Sequence, residues 1–177
     1  MPIDLTAQPR HLILGGAKSG KSAYAEALTA GYAAPRIYVA TAQVLDEEMA
    51  DRVRAHKERR LLSWETVECP LELVKTLNEF QGRKQAVLVD CLTLWLTNLL
   101  LRTSVESPEA AVKNLVVCLQ GVGYPLFLVS NEVGGGIVPD NSLARRFRDL
   151  AGSTNQQIAA VCNAVTLVVA GLPLRLK

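Results

Sequence analysis

Residues 15–22 have the composition and spacing of a loop that binds the phosphates of a nucleotide. Gly15, Gly20, Lys21 and Ser22 fill the fixed positions of the pattern G-x-x-x-x-G-K-[ST], and Gly16, Ala17, Lys18 and Ser19 fill the variable ones. Glycines let the backbone curl so that successive N–H groups point at phosphate oxygens, and a helix that begins here adds the positive end of its dipole. The lysine of such a loop reaches the β- and γ-phosphates, and the hydroxyl binds Mg²⁺. The pattern predicts a site for a nucleoside triphosphate, with Lys21 as a catalytic residue and Ser22 as a metal ligand.

A glycine-rich turn that binds no nucleotide is the alternative interpretation of this run. The surrounding residues disfavour it, because an apolar stretch typical of a strand precedes Gly15 and helix-forming residues follow Ser22. A phosphate loop needs both of these neighbours.

Asp90 is the candidate second ligand of the metal ion. It follows the four apolar residues 86–89, which have the form of a buried strand. A carboxylate in this position can bind Mg²⁺ directly or through water. The alternative is that Asp90 only caps the helix that follows. We prefer the metal role because the strand and the phosphate loop support each other.

A basic segment around His56 could supply a nucleophile. Residues 46–59 carry acids in the first turn and bases in the last, as a helix dipole favours. Met49, Val53 and His56 are spaced i, i+4 and i+7, on one stripe of that helix. Nearby cations favour a neutral imidazole, which can attack phosphorus. The alternative is a solvated basic helix end, and the residues alone favour this plainer interpretation. The other histidine, His11, is predicted to be structural.

An alternation of short strands and helices must position these candidates. Uniformly apolar runs predict buried strands at 11–14, 37–40, 86–89, 126–129 and 165–169, with an edge strand at 64–68. Helical patterns lie at 21–30, 46–59, 71–81, 92–101, 108–119 and 141–163. The alternation predicts one α/β domain over residues 11–177 with a largely parallel sheet, preceded by an arm at 1–10.

The carboxyl ends of four predicted strands carry polar or glycine-rich residues. These strands run into residues 15–18, residues 41–43, Asp90 and residues 130–132. Ligands of open α/β sheets bind at the carboxyl ends of the strands. We therefore expect these four turns to assemble the site.

The composition argues against several classes of protein. A net charge of +2 gives no global field for nucleic acid or membrane, and 49% hydrophobic residues suffice for a core. The four cysteines are widely spaced, which argues against a zinc site and a disulfide scaffold. The sequence has neither an apolar run of the ~18 to 20 residues that span a bilayer nor a secretory signal at its start. We predict a cytoplasmic protein without a nucleic-acid partner or membrane insertion.

Several stretches in a fixed order carry a resemblance to a known family. They are residues 15–22, 38–42, 46–49, 56–57, 64–68, 88–93, 97–100, 131–139, 145–149, 152 and 155–156. The chain resembles the bifunctional adenosylcobinamide kinase / adenosylcobinamide-phosphate guanylyltransferase family of cobalamin biosynthesis. The resemblance covers nearly the full length, leaving the first ten residues unmatched. Many families share the phosphate loop, but they do not share this ordered set.

The resemblance implies two reactions on one P-loop NTPase-type, three-layer α/β/α fold of RecA-like type. A γ-phosphoryl group passes from ATP or GTP to the aminopropanol hydroxyl of adenosylcobinamide. GMP then passes from GTP to that phosphate, giving adenosylcobinamide-GDP and pyrophosphate. The family's second reaction uses a guanylylated histidine, and the matching position is His56, which reverses the preference drawn from the residues alone. The family also implies Mg²⁺ and a homotrimer.

Family nucleotide contacts are carried over by position. Besides residues 15–22 they are Thr41, Ala42, Gln43, Lys57, Glu58, Arg59, Arg60, Glu68 and Asp90. One departure is Leu61, where relatives often have a proline that would stiffen the turn after Arg60.

The residues leave two alternative functions, and they leave two interpretations of one loop. The chain could be a small-molecule P-loop kinase without a nucleotidyl-transfer step, or a nucleotide-gated binding module of RecA-like type. The second is disfavoured because the sequence shows no partner-binding tail or second domain. The glycine-rich residues 131–139 either approach a ligand or a neighbouring subunit, with Glu132 in a polar role, or form a tight loop before the last helix.

Overall fold

Seven strands form one sheet, with helices packed on both of its faces. The computed structural model describes residues 10–43, 63–102 and 106–177. The strands are β1 (Arg10–Gly15), β2 (Arg36–Ala40), β3 (Trp64–Glu68), β4 (Val87–Asp90), β5 (Leu126–Asn131), β6 (Ala164–Val169) and β7 (Leu172–Arg175). The described helices are α1 (Lys21–Thr29), α2 (Leu73–Glu79), α3 (Leu92–Leu101), α4 (Pro108–Gln120) and α5 (Ser142–Val161).

The strand order is β3-β2-β4-β5-β1-β6-β7. All pairings from β3 to β6 are parallel, and β7 pairs antiparallel with β6. The carboxyl ends of β1 to β6 therefore meet at one edge of the sheet. This confirms the predicted mostly parallel sheet and places the turns after β1, β2, β4 and β5 on that edge.

Side chains alternate between the two faces of each strand, so the sheet buries two clusters. On β4, Val87 and Val89 contact the cluster under α2, α3, α4 and α5, whereas Leu88 contacts the cluster that includes Ala25 of α1. Strands covered on both faces have no polar alternation. For this reason the uniformly apolar runs in the sequence predicted five strands correctly. Helices on both faces of the sheet give a three-layer α/β/α architecture.

Most predicted elements are confirmed, including the edge strand at 64–68. The helix predicted at 46–59 lies outside the described residues. Arg10, assigned to the arm, belongs to β1 instead, because its N–H donates to Oδ1 of Asn163 at 3.0 Å and its Nε donates to the carbonyl of Val161 at 3.1 Å. Over the described ranges, the helices are too short or too polar to cross a membrane.

The sequence did not reveal β7. It forms a hairpin with β6 through Ala170 and Gly171, which both have positive φ, at 52° and 79°. Two left-handed residues are what a tight hairpin turn needs. Every residue of β7 is exposed, and Pro173 is tolerated because the strand lies at the edge. An exposed strand lacks the apolar signal that identified the others.

His11 is a buried histidine on β1, as predicted for a structural residue. It is 5% exposed, and its Nε2 lies 2.9 Å from Oγ1 of Thr166 on β6. Burial, assisted by the charge of Arg175, lowers the pKa of His11 from 6.5 to about 4. The unfolded chain therefore binds a proton in a pH range where the folded chain does not.

We expect His11 to destabilise the fold as the pH falls. Its stabilising contribution is complete above the unfolded pKa of 6.5 and is lost as the pH falls towards about 4. The loss is at most about 3 kcal/mol over this interval. Urea unfolding at several pH values should show a steeper decline for the wild type than for His11→Leu, since carboxylates titrate alike in both. Parallel curves would contradict the assignment.

Candidate nucleotide site

The phosphate loop lies between β1 and α1. Lys18 and Gly20 have positive φ, 55° and 94°, so the backbone reverses sharply within three residues. The N–H of Ser19 donates to the carbonyl of Gly16 at 3.2 Å and closes the turn. The loop therefore has the curled backbone that the pattern predicts.

Lys21 begins α1 and folds back against this loop. Only 8% of it is exposed, and its Nζ donates to the carbonyl of Gly16 at 3.0 Å. Ser22 follows in the first turn of α1 and is half-buried. The lysine, the hydroxyl residue and the N-terminus of α1 are thus next to the curled loop, where loops of this type bind phosphates.

The turn between β6 and β7 supports the loop from outside. The N–H of Gly171 donates to the carbonyl of Ser19 at 2.8 Å. A Cβ on Gly20 would lie 3.2 Å from Cα of Gly171, and one on Gly15 would lie 2.6 Å from the carbonyl oxygen of Val168. Packing against this turn therefore restricts the two glycines that the pattern fixes.

Asp90 ends β4 at the same edge of the sheet. Its Oδ2 accepts a hydrogen bond from the hydroxyl of Tyr38 on β2 at 3.0 Å. One strand, β5, separates β4 from β1, so Asp90 stands about 10 Å from the start of the phosphate loop. That separation suits a carboxylate that meets the phosphates through an ion or water. Tyr38 could not be identified from sequence, because its role depends on the register of two strands.

Thr41 follows β2 and is fully buried. Its hydroxyl donates to the carbonyl of Cys91 at 2.7 Å and accepts from the N–H of Cys91 at 2.8 Å. Its own N–H donates to the carbonyl of Asp90 at 3.3 Å. Thr41 therefore positions the backbone after β4. Ala42 and Gln43 are the half-buried members of the predicted contact at 41–43.

Further hydrogen bonds join this backbone to β5 and α5. Oγ1 of Thr93 lies 3.1 Å from Sγ of Cys91 and accepts from Nδ2 of Asn131 at 2.7 Å. Nδ2 of Asn155 donates to the carbonyl of Asn131 at 3.1 Å. Burial, with the Asp90 carboxylate adding to it, raises the pKa of Cys91 to about 11, so the thiol stays protonated at neutral pH. The ends of β2, β4 and β5 are thus bonded into one platform beside the loop.

The predicted site residues divide into three groups. The phosphate loop, residues 41–43 and Asp90 lie at one edge of the sheet. Glu68 ends β3, four strand spacings or about 19 Å from β1 along the sheet. His56, Lys57, Glu58, Arg59 and Arg60 lie outside the described residues.

The donors at this edge fit a magnesium ion that is shared with phosphates. The described part of the chain contains no group of three or more His, Cys, Asp and Glu side chains that could hold a metal. Mg²⁺ usually takes one or two protein oxygens, substrate phosphates and water. Asp90, oriented by Tyr38, and the Ser22 hydroxyl are oxygen donors of this kind.

Solved structures of similar fold include nucleotide-hydrolysing enzymes. A prototypical ATPase from the type III secretion system of pathogenic bacteria gives a TM-score of 0.57 at 12% identity, covering 96% of this chain and 57% of that chain. The Pyrococcus horikoshii OT3 protein PH0250 gives a TM-score of 0.54 at 9% identity, covering 97% of this chain and 87% of that chain. Fold and loop define a P-loop protein of RecA-like type.

The family follows from sequence comparison. The model described as cobinamide kinase / cobinamide phosphate guanyltransferase matches residues 11–176, and the chain belongs to this family. The bifunctional adenosylcobalamin biosynthesis protein CobP of Pseudomonas aeruginosa is 48% identical over 95% of this chain and 97% of its own. The bifunctional adenosylcobalamin biosynthesis protein CobU of Salmonella typhimurium is 42% identical over 94% and 98%. The chain is accordingly a bifunctional enzyme of cobalamin biosynthesis, with cobinamide kinase and cobinamide phosphate guanylyltransferase activities.

Proposed function

We propose that a single nucleotide site, built on residues 15–22 and Asp90, serves both activities. The observation that carries this proposal is the phosphate loop, in which the buried Lys21 ammonium lies 3.0 Å from the carbonyl of Gly16. Both reactions need a nucleoside triphosphate held by its phosphates, and the described residues contain one loop of this pattern.

In the kinase step, ATP or GTP phosphorylates adenosylcobinamide. The oxygen of the substrate's hydroxyl bonds to the γ-phosphorus while the bond to the β–γ bridging oxygen breaks and the nucleoside diphosphate leaves. Lys21 and the N–H groups of the loop stabilise the negative charge on the transferred group and the leaving group.

In the guanylyl step, a nitrogen of His56 attacks the α-phosphorus of GTP, and pyrophosphate leaves. An oxygen of adenosylcobinamide phosphate then bonds to the same phosphorus, the P–N bond breaks, and the histidine is restored. The product is adenosylcobinamide-GDP. Lys57, Glu58, Arg59 and Arg60 complete the proposed nucleotide contacts around His56.

The rest of the nucleotide extends along the sheet edge in this proposal. Ala42 and Gln43 follow β2, three strand spacings from β1 and one from β3. Glu68 is too far along the sheet to meet the phosphates, so its proposed contact is with the nucleoside. In this proposal the base therefore lies towards β3.

Two differently labelled nucleotides test the proposal in one product. The chain should transfer label from γ-labelled ATP to adenosylcobinamide, and then label from α-labelled GTP to the same molecule, with release of unlabelled pyrophosphate. A product carrying both labels supports two phosphorus centres of attack. A chain that incorporates γ-label but never α-label is a kinase alone, which would contradict the proposal.

Mg²⁺ is the proposed cofactor, held by Ser22 and Asp90. When bound beside the triphosphate, the ion neutralises phosphate charge. Asp90→Asn should raise the Mg²⁺ concentration for half-maximal kinase activity and lower the maximal rate about 100-fold, a loss typical of one electrostatic group. Initial rates over a magnesium titration measure this.

Tyr38→Phe is the companion variant for this titration. It keeps the Asp90 carboxylate but removes the hydrogen bond that orients it, so we expect a shifted magnesium dependence with a smaller loss of rate. An Asp90→Asn enzyme with the wild-type magnesium curve would exclude Asp90 as a ligand.

A cytoplasmic location, predicted from the cysteines and the apolar pattern, and a homotrimer, implied by the family resemblance, remain proposals. Light scattering on the purified chain tests the second directly, since a trimer would have three times the 19.2 kDa mass of the chain.

A further inference from the structure

The segment 132–141 joins β5 to α5 at the edge of the sheet that carries the phosphate loop. The N–H of Glu132 donates to the carbonyl of Gly15 at 3.1 Å. Because β5 pairs directly with β1, this residue is about 5 Å from the loop's first backbone atoms. Asp90 is two strand spacings from β1 and Glu68 is four. Of these three acidic residues, Glu132 is therefore the one whose backbone lies nearest to the phosphate loop.

Both ends of the segment are anchored. Near its start, Val133 packs against the hydrophobic core. Near its end, Nη1 of Arg145 donates to the carbonyl of Pro139 at 2.9 Å and to the carbonyl of Asp140 at 2.7 Å. The middle of the segment therefore lies between two ends that are held by contacts with the rest of the protein.

The exposed side chains in the middle of the segment are apolar. Ile137 is 98% exposed and Val138 is 61% exposed. A Cβ added to Gly135 or Gly136 would meet nothing within 4 Å, so the backbone before them is also open. Adjacent exposed apolar side chains on an anchored segment are available to an apolar ligand without rearrangement of the fold. The segment that carries this surface begins at Glu132, beside the site where the triphosphate is proposed to bind.

We propose that the segment 132–141 is the corrinoid-binding surface, with Ile137 and Val138 against apolar parts of the macrocycle and Glu132 beside the attacking hydroxyl. The kinase activity requires a corrinoid whose hydroxyl comes within about 3–3.5 Å of the γ-phosphorus, so its binding surface must adjoin the phosphate loop. A corrinoid is a broad ring carrying methyl and amide groups, which suits an apolar surface next to exposed backbone. This inference rests on the proposed position of the triphosphate.

The kinase step gives Glu132 a defined task. The hydroxyl oxygen bonds to the γ-phosphorus, the bond to the β–γ bridging oxygen breaks, the nucleoside diphosphate leaves with the electron pair, and the hydroxyl proton passes to the Glu132 carboxylate. Its Oε1 already accepts from the N–H of Gly134 at 2.7 Å, which holds the side chain near its own backbone. In the guanylyl step the acceptor is a phosphate without that proton. Glu132 therefore acts in one reaction and the apolar surface in both.

The double variant Ile137→Ser/Val138→Ser tests the apolar surface. The KM for adenosylcobinamide and for its phosphate should each rise about tenfold or more, as expected when two apolar contacts are lost. The KM for nucleotide, and labelling of the enzyme by α-labelled GTP without corrinoid, should not change. Val117→Ser is the matched control, because Val117 is 68% exposed on α4. Unchanged corrinoid KM values would overturn the proposal. So would a changed oligomeric state without a change in KM, which would make the surface a contact between copies.

Glu132→Gln tests the proton acceptor. We expect the kinase kcat to fall about 100-fold, as for removal of a general base. The corrinoid KM and guanylyl transfer to preformed adenosylcobinamide phosphate should be retained, and Glu79→Gln, on α2, should have no effect. Equal loss of both reactions, or no loss, would overturn this role. Failure here leaves the double-label product intact, so it is distinct from failure of the shared nucleotide site.

Discussion

Replacing Lys21 by alanine should lower the kinase and the guanylyltransferase rates together, each by at least about 100-fold, because both lose the same charge beside the phosphates. Lys21 is 8% exposed and its ammonium lies 3.0 Å from the carbonyl of Gly16, so its position is fixed by the loop itself. Lys21→Arg should restore little, because a planar guanidinium does not fit a place shaped for a compact ammonium. Initial rates of both reactions at saturating Mg²⁺ measure the effect.

The controls for Lys21→Ala distinguish a loss of triphosphate binding from a loss of folding. Lys113→Ala removes an exposed lysine of α4, far along the chain from the loop, and should leave both rates unchanged. Thermal unfolding of Lys21→Ala should stay close to wild type without nucleotide but lose most of the stabilisation that added nucleotide gives. If one activity disappears and the other survives, the two reactions use different triphosphate sites, and the single-site proposal is wrong.

The parts of the fold that sequence predicts are those that leave a local signal. Parallel strands covered on both faces are apolar throughout, which located β1, β2, β4, β5 and β6. The phosphate loop is a contiguous motif whose chemistry depends on backbone and on residue type, so the residues alone predict it at residues 15–22, and the structure has the curled backbone there. The edge strand β7 gave no such signal, although its turn supports Ser19 of the loop.

The parts of the site that sequence does not predict depend on register and distant pairing. The hydrogen bond between Tyr38 and Asp90 joins residues that are 52 positions apart in the sequence. The hydrogen bond between Thr41 and Cys91 joins residues that are 50 positions apart. Nothing in the residue types distinguishes this buried threonine from an ordinary helix-capping or surface one. The sequence identified residues 41–43 as a candidate contact, and the structure shows that Thr41 acts within that stretch by holding the backbone after β4.

Replacing His56 by asparagine should eliminate guanylyl transfer, by at least about 1000-fold, and leave the kinase rate within a few-fold of wild type. The physical reason is covalent chemistry: in the proposed guanylyl step the His56 nitrogen bonds to the α-phosphorus, and loss of a nucleophile is among the most damaging changes to an enzyme. The kinase step forms no such bond. Incubation with α-labelled GTP should leave acid-labile label on the wild type and none on His56→Asn.

The position of the label makes this prediction sharper than the rates alone. The chain has two histidines, and His11 is 5% exposed and lies 2.9 Å from Thr166 inside the sheet, so GTP cannot reach it. Peptides separated at neutral or alkaline pH, where a P–N bond survives, should carry label on the one that contains His56. If a folded His56→Asn enzyme loses both activities, His56 contributes to triphosphate binding in both reactions rather than to a separate covalent step. If it keeps both, the α-phosphorus is attacked directly by the corrinoid phosphate, and the phosphate loop alone would hold GTP for both reactions.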